Sequence, residues 1–137
     1  MGKIHLDFHE RCDGNVQQLV FIKTTKGEIF GGYTEIGFNS RDGSHKDNNA
    51  FVFSLYTRKI YNIKTDKTAI YDNQSYGPCF EGNTCIICIY SKMFTVQSHT
   101  CSIKDSYFDG ITSDFEINNG EQYFNIQEIE VYQILYN

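Results

Sequence analysis

Short runs of apolar residues separated by Gly-, Asn- and Asp-rich turns recur along the chain, and several alternate with a period of two, the spacing of a strand that buries one face. Leu19-Val20-Phe21-Ile22-Lys23-Thr24 and Glu28-Ile29-Phe30-Gly31-Gly32-Tyr33, joined through Lys26-Gly27, predict a hairpin with strands over Gln18 to Thr24 and Glu28 to Thr34. The double glycine in the second strand lets another backbone or side chain approach where a Cβ would block it. Ala50 to Leu55 and Lys59 to Lys64 read as a second strand pair, and Ala69-Ile70-Tyr71 as a further strand. Asp72 to Gly82, with Gly77-Pro78 and Gly82, reads as turns. Thr84 to Ile89 and Met93 to Gln97 read as strands joined through Ser91-Lys92, and residues 98–120 as irregular structure.

Near the C-terminus, apolar residues at 124, 126, 129, 131 and 134 alternate by two with a one-residue slip near Glu128, which predicts two strand segments joined by a bulge. The opening is different: Ile4, Phe8 and Cys12 have the spacing of a helical turn or two, ended by Asp13-Gly14-Asn15. Asn39 to Asn49 is a polar loop, long for a hairpin. The pattern as a whole predicts one mainly β (α+β) domain over residues 1–137, two antiparallel sheets packed as a β-sandwich with small flanking helices.

Charge narrows the classes of partner. The formal net charge is −5, and Arg58, Lys59, Lys64 and Lys67 alternate with apolar residues around Asp66, so no nucleic acid is expected. No apolar run approaches the ~20 residues that span a bilayer, so no membrane insertion is expected. Asp7, Glu10, Arg11 and Asp13 argue against a signal peptide, and Leu6 stands where a myristoylation motif needs Ser or Thr. A cytoplasmic protein, or a nuclear one, is expected.

The five cysteines, Cys12, Cys79, Cys85, Cys88 and Cys101, are expected to be reduced. Cys85 and Cys88 have a zinc-knuckle spacing, but residues three apart on a regular strand face opposite ways, which argues against a shared metal. His5 and His9 would share a helical face near Glu10 and Cys12, an arrangement that a polar N-terminus explains equally well. Glu128 and Glu130 fit the solvated face of a strand. His99 and Cys101 would lie on one face if their strand continued, the pair of a thiol-dependent enzyme, yet nucleophile and base usually come from different elements. No Gly-x-Ser-x-Gly elbow, phosphate loop or dinucleotide fingerprint occurs. No catalytic residue, metal or cofactor is therefore assigned, and the exposed loop bearing Arg41, Asp42 and His45 is the candidate recognition surface.

The order of Phe30-Gly31-Gly32-Tyr33, Ser40 to Asn49, Ala50 to Leu55, Gly77-Pro78-Cys79-Phe80-Glu81-Gly82, Ser98-His99-Thr100-Cys101 and Phe124 to Tyr132 resembles the TLDc domain of the oxidation-resistance proteins, over about Phe8 to Ile134. It departs from the family pattern in three places. The helical segment before the first strand is nearly absent, Cys79-Phe80-Glu81-Gly82-Asn83 is less glycine-rich, and Tyr132 stands where tryptophan is frequent. The resemblance implies a β-sandwich acting as a non-catalytic adaptor in oxidative-stress protection, with a protein partner such as the cytosolic sector of the V-ATPase. It directs attention to Arg41, Asp42 and His45 in one loop and Glu81 in the other. The competing readings are a thiol-dependent peroxidase or hydrolase using Cys101 with His99 and, last, a DNA-associated stress-response factor, which would need a basic surface.

Overall fold

The computed structural model describes residue 12 and residues 14–82, 84–90, 97–100 and 106–134. Two antiparallel sheets face each other. Strands β1 (Gln18–Thr24), β2 (Ile29–Thr34), β4 (Phe51–Ser54), β5 (Lys59–Asn62) and β11 (Ile126–Gln133) form the first, in the order β11-β1-β2-β4-β5. The second runs β10-β9-β8-β7-β6-β3, from β3 (Ser44–Lys46), β6 (Thr68–Tyr71), β7 (Tyr76–Gly82), β8 (Thr84–Tyr90), β9 (Ser98–His99) and β10 (Tyr123–Phe124). Among the described residues, Glu116–Asn118 forms a single-turn 3₁₀ helix packed against β2 and β4. The expected turn over residues 4–12 lies outside the described residues except for Cys12, as does the expected strand 93–97 except for Gln97.

The period-two readings locate the core. Val20, Ile22, Phe30, Val52, Tyr61 and Ile126 of the first sheet and Ile70, Phe80, Ile87 and Ile89 of the second belong to one buried cluster. The double glycine serves both faces of β2. A Cβ on Gly32 would stand 2.6 Å from the Phe80 ring of the other sheet, so the missing side chain is what lets that ring seat. On the outer face, Gly31 lies in register between Phe21 and Phe53. Their rings meet edge to face over it with centroids 5.1 Å apart, and a Cβ there would be 1.8 Å from the Val20 carbonyl oxygen.

The C-terminal slip is a bulge. Lys23 pairs with Glu128 and Thr24 with Ile126, so Gln127 is the extra residue, and it keeps Ile126 inward alongside Ile129 and Val131.

Two sequence readings are corrected by the ladders. The stretch 72–82 is not all turn, because Tyr76–Gly82 is a strand despite Pro78. Proline has no N–H for a ladder, and the register shifts between Tyr76 and Cys79, where Pro78 sits. The loop 39–49 contains the short edge strand Ser44–Lys46, which pairs with β6 through its own register shift and is too short and polar to read by periodicity. A further bulge falls in β8: Phe80 pairs with Ile87 but Glu81 with Cys85, leaving Ile86 extra. The carbonyl of Ile86 accepts the buried Thr100 hydroxyl.

Candidate functional site

Three loops owe their shape to buried carboxylates. Asp72, fully buried, accepts the backbone N–H groups of Asn39 (2.9 Å) and Ser40 (2.9 Å) and the Nε of Arg41 (3.0 Å), while Arg41 Nη2 donates to the Gly37 carbonyl. This clamp holds Ser40 and Asp42 in the left-handed region, at φ 55° and 65°, where a non-glycine residue is uncommon. Asp47 accepts the Thr34 hydroxyl (2.6 Å) and the Glu35 N–H (2.7 Å), fixing the exit of β2.

Glu116 anchors the 3₁₀ turn. One carboxylate oxygen accepts the N–H groups of Thr112 (2.7 Å) and Ser113 (2.9 Å); the other accepts the Tyr61 hydroxyl and lies 3.6 Å from Lys59 Nζ. Burial by itself would raise this carboxyl's pKa. The bonds from Tyr61, Thr112 and Ser113 outweigh that and hold it at about 2. Burial raises the Tyr61 phenol, and the bond to Glu116 raises it further. These carboxylates are saturated by the loops they organise, so their chemistry is structural.

Above this scaffold lie two surfaces. The first carries the residues singled out in the sequence, which gather around edge strand β3. Exposed Asp42 accepts the Asn73 side-chain amide (2.9 Å), its carbonyl is 2.9 Å from His45 Nε2, and both Glu81 carboxylate oxygens accept the Ser44 hydroxyl (2.8 and 2.9 Å). Arg41 belongs to the Asp72 clamp, so part of its charge is committed within the chain.

The second surface is apolar and was not singled out. It is the outer face of the five-stranded sheet, where the register sets Glu130, Phe21, Gly31, Phe53 and Ile60 in one row and Tyr132, Leu19, Tyr33 and Phe51 in the next. Tyr132 stacks edge to face on Phe21 at 5.9 Å, and Tyr33 lies over Phe51 at 5.3 Å. A groove of about 400 Å³ runs among Leu19, Phe21, Phe51, Phe53, Leu55 and Ile60, with Arg58 on its rim. Ile60 is 63% exposed and Leu55 55%. Beyond Phe21 the surface turns acidic at Glu128 and Glu130; Glu130 accepts the Tyr132 hydroxyl, a bond that raises the pKa of that phenol. A signal for this face was present in the sequence. Leu19-Val20-Phe21-Ile22 and Phe51-Val52-Phe53 are apolar at both parities, more than a strand with one buried face requires.

His99 lies in β9, in register with Cys88, and Cys101 lies outside the described residues. Among the described residues no three His, Cys, Asp or Glu side chains converge as a metal set, and no helix is long and apolar enough to cross a membrane.

A β-sandwich with rigid loops, an apolar sheet face and a polar edge is the form of a protein-interaction module. Residues 2–135 match the model of the TLDc domain, and no curated protein sequence matches the chain. The chain therefore belongs to the TLDc domain family, which is associated with resistance to oxidative stress and whose domains are generally non-catalytic interaction modules.

Proposed function

We propose that this chain is a cytoplasmic, non-catalytic adaptor that acts by contact, with the cytosolic sector of the V-ATPase as its partner. The observation that carries the reading is the apolar outer face of the five-stranded sheet. Leu55, Ile60 and Tyr132 are each about half exposed or more, and contiguous exposed apolar surface of this kind marks interaction sites. Family membership supports the contact mode, and the oxidative-stress association supports a role in protection. The edge patch of Asp42, His45 and Glu81, with Arg41 beside it, lies on the other sheet and offers a second, polar contact, of the kind that chiefly sets specificity and association rate.

The test is to add the purified chain to detached cytosolic sector of a V-ATPase and follow assembly and ATP hydrolysis, with a variant carrying all five Cys→Ser changes alongside. Thermal melts would confirm that both proteins are folded. Binding and an altered assembly state with both proteins is the expected result. Loss of the effect in the folded Cys-free protein would favour thiol chemistry and overturn the contact reading.

A further inference from the structure

We propose that Cys79 and Cys88 form a reversible dithiol/disulfide site oxidised by a small hydroperoxide. The two residues are register partners on the antiparallel strands β7 and β8. Residues directly opposite on such strands share a face and have Cα atoms about 4.5–5.5 Å apart, inside the range of about 4.4–6.8 Å that a disulfide spans. Both are reduced and lie inside the sandwich, Cys79 fully buried and Cys88 3% exposed. The other described thiol, Cys12, is off this ladder, where its carbonyl accepts the Gln18 amide at the start of β1.

The ladder around the pair is already irregular. Register shifts fall between Tyr76 and Cys79 on one side and between Phe80 and Glu81 on the other, and Pro78 contributes no N–H between them. A bulged backbone can rotate locally without breaking a continuous run of ladder bonds, which gives the pair room to reach disulfide geometry. Burial also separates the site from large oxidants, so a small hydroperoxide is the chemical class that fits.

The atoms balance as follows. The Cys88 sulfur, the less covered of the two, attacks one peroxide oxygen as the O–O bond breaks, and its thiol proton goes to the departing oxygen, so a sulfenic acid forms and the alcohol leaves, or water where the oxidant is hydrogen peroxide. The Cys79 sulfur then attacks the sulfenic sulfur, the S–S bond forms, and the sulfenic hydroxyl leaves as water with the Cys79 thiol proton. One hydroperoxide is reduced by two electrons and two thiols are oxidised by two. A dithiol reductant reverses the bond. The proposal stands on the ladder alone and is independent of the adaptor reading.

The experiment treats the reduced chain with hydrogen peroxide, alkylates it during unfolding and maps the peptides without reduction. Cleavage after Glu81 separates Cys79 from Cys85 and Cys88, and fragmentation distinguishes the latter two. The expected product is a Cys79–Cys88 cross-link that dithiothreitol converts back to two alkylatable thiols. In Cys79→Ser, several-fold more Cys88 sulfenic acid should be trapped by dimedone than in wild type. Recovery of both residues as alkylated thiols, or linkage of Cys88 to Cys85 or Cys101 instead, would overturn the proposal. The wild-type map decides the matter even where the variant fails to fold.

Discussion

Glu116 shows how one side chain governs the stability of a loop. Its carboxylate is held by Tyr61, Thr112 and Ser113, with Lys59 nearby, and it ties residues 112–118 to β5. Burial opposes its charge and the hydrogen bonds more than compensate, leaving the folded pKa at about 2 against an ordinary 4.5. A depressed folded pKa contributes stability that is complete above the ordinary value and is lost as pH falls through the folded one. Thermal melts should therefore show wild type losing stability between about pH 4.5 and pH 2, with Glu116→Gln flatter over that window and less stable by about 2 kcal/mol at pH 7. Equal pH slopes for the two proteins would show that the carboxylate is not held as described. Asp72→Asn should act on another loop. An amide keeps one acceptor oxygen where Asp72 uses both, so about 1–3 kcal/mol of stability should be lost and amide exchange at Asn39 and Ser40 should quicken. Unchanged exchange there would remove Asp72 as the organiser of this loop.

At the scale of the element, the two glycines of β2 make the sharpest prediction. Gly32→Ala sets a methyl against the Phe80 ring, and Gly31→Ala sets one against the Val20 carbonyl. Each should cost at least about 2 kcal/mol in denaturant melts, with Gly31→Ala the worse because backbone yields less readily than a side chain. A melt indistinguishable from wild type would contradict this packing. The double glycine was legible in the sequence because it interrupts an otherwise aromatic and β-branched strand. The C-terminal bulge was legible because Ile126, Ile129 and Val131 keep step on either side of one extra residue. What was not legible came from partners distant in sequence. Strand β7 exists because β6 and β8 flank it, overriding the turn signal of Gly77-Pro78, and β3 is a three-residue edge strand with no period of its own. Asp72 looked like a turn residue, since nothing nearby revealed that it would be buried beneath a loop some thirty positions earlier.

For the whole molecule, the division of labour lies between faces. The inner faces are filled, the loops are tied by buried carboxylates, and the outer face of the five-stranded sheet keeps large apolar side chains in solvent. The sequence drew attention to the polar loop instead, because an exposed apolar sheet face and a buried one share the same residue types and only the fold distinguishes them. In the proposed function this sheet face makes the principal contact with the V-ATPase cytosolic sector and the β3 edge makes a second, polar one. That division is tested most directly by the dissociation constant of that complex for wild type, for Leu55→Glu/Ile60→Glu and for Asp42→Lys/Glu81→Lys, each shown by thermal melt to be folded. The account predicts at least about 30-fold weaker binding for the apolar-face variant and a severalfold, salt-dependent change for the edge variant. Wild-type affinity in the folded apolar-face variant would contradict it.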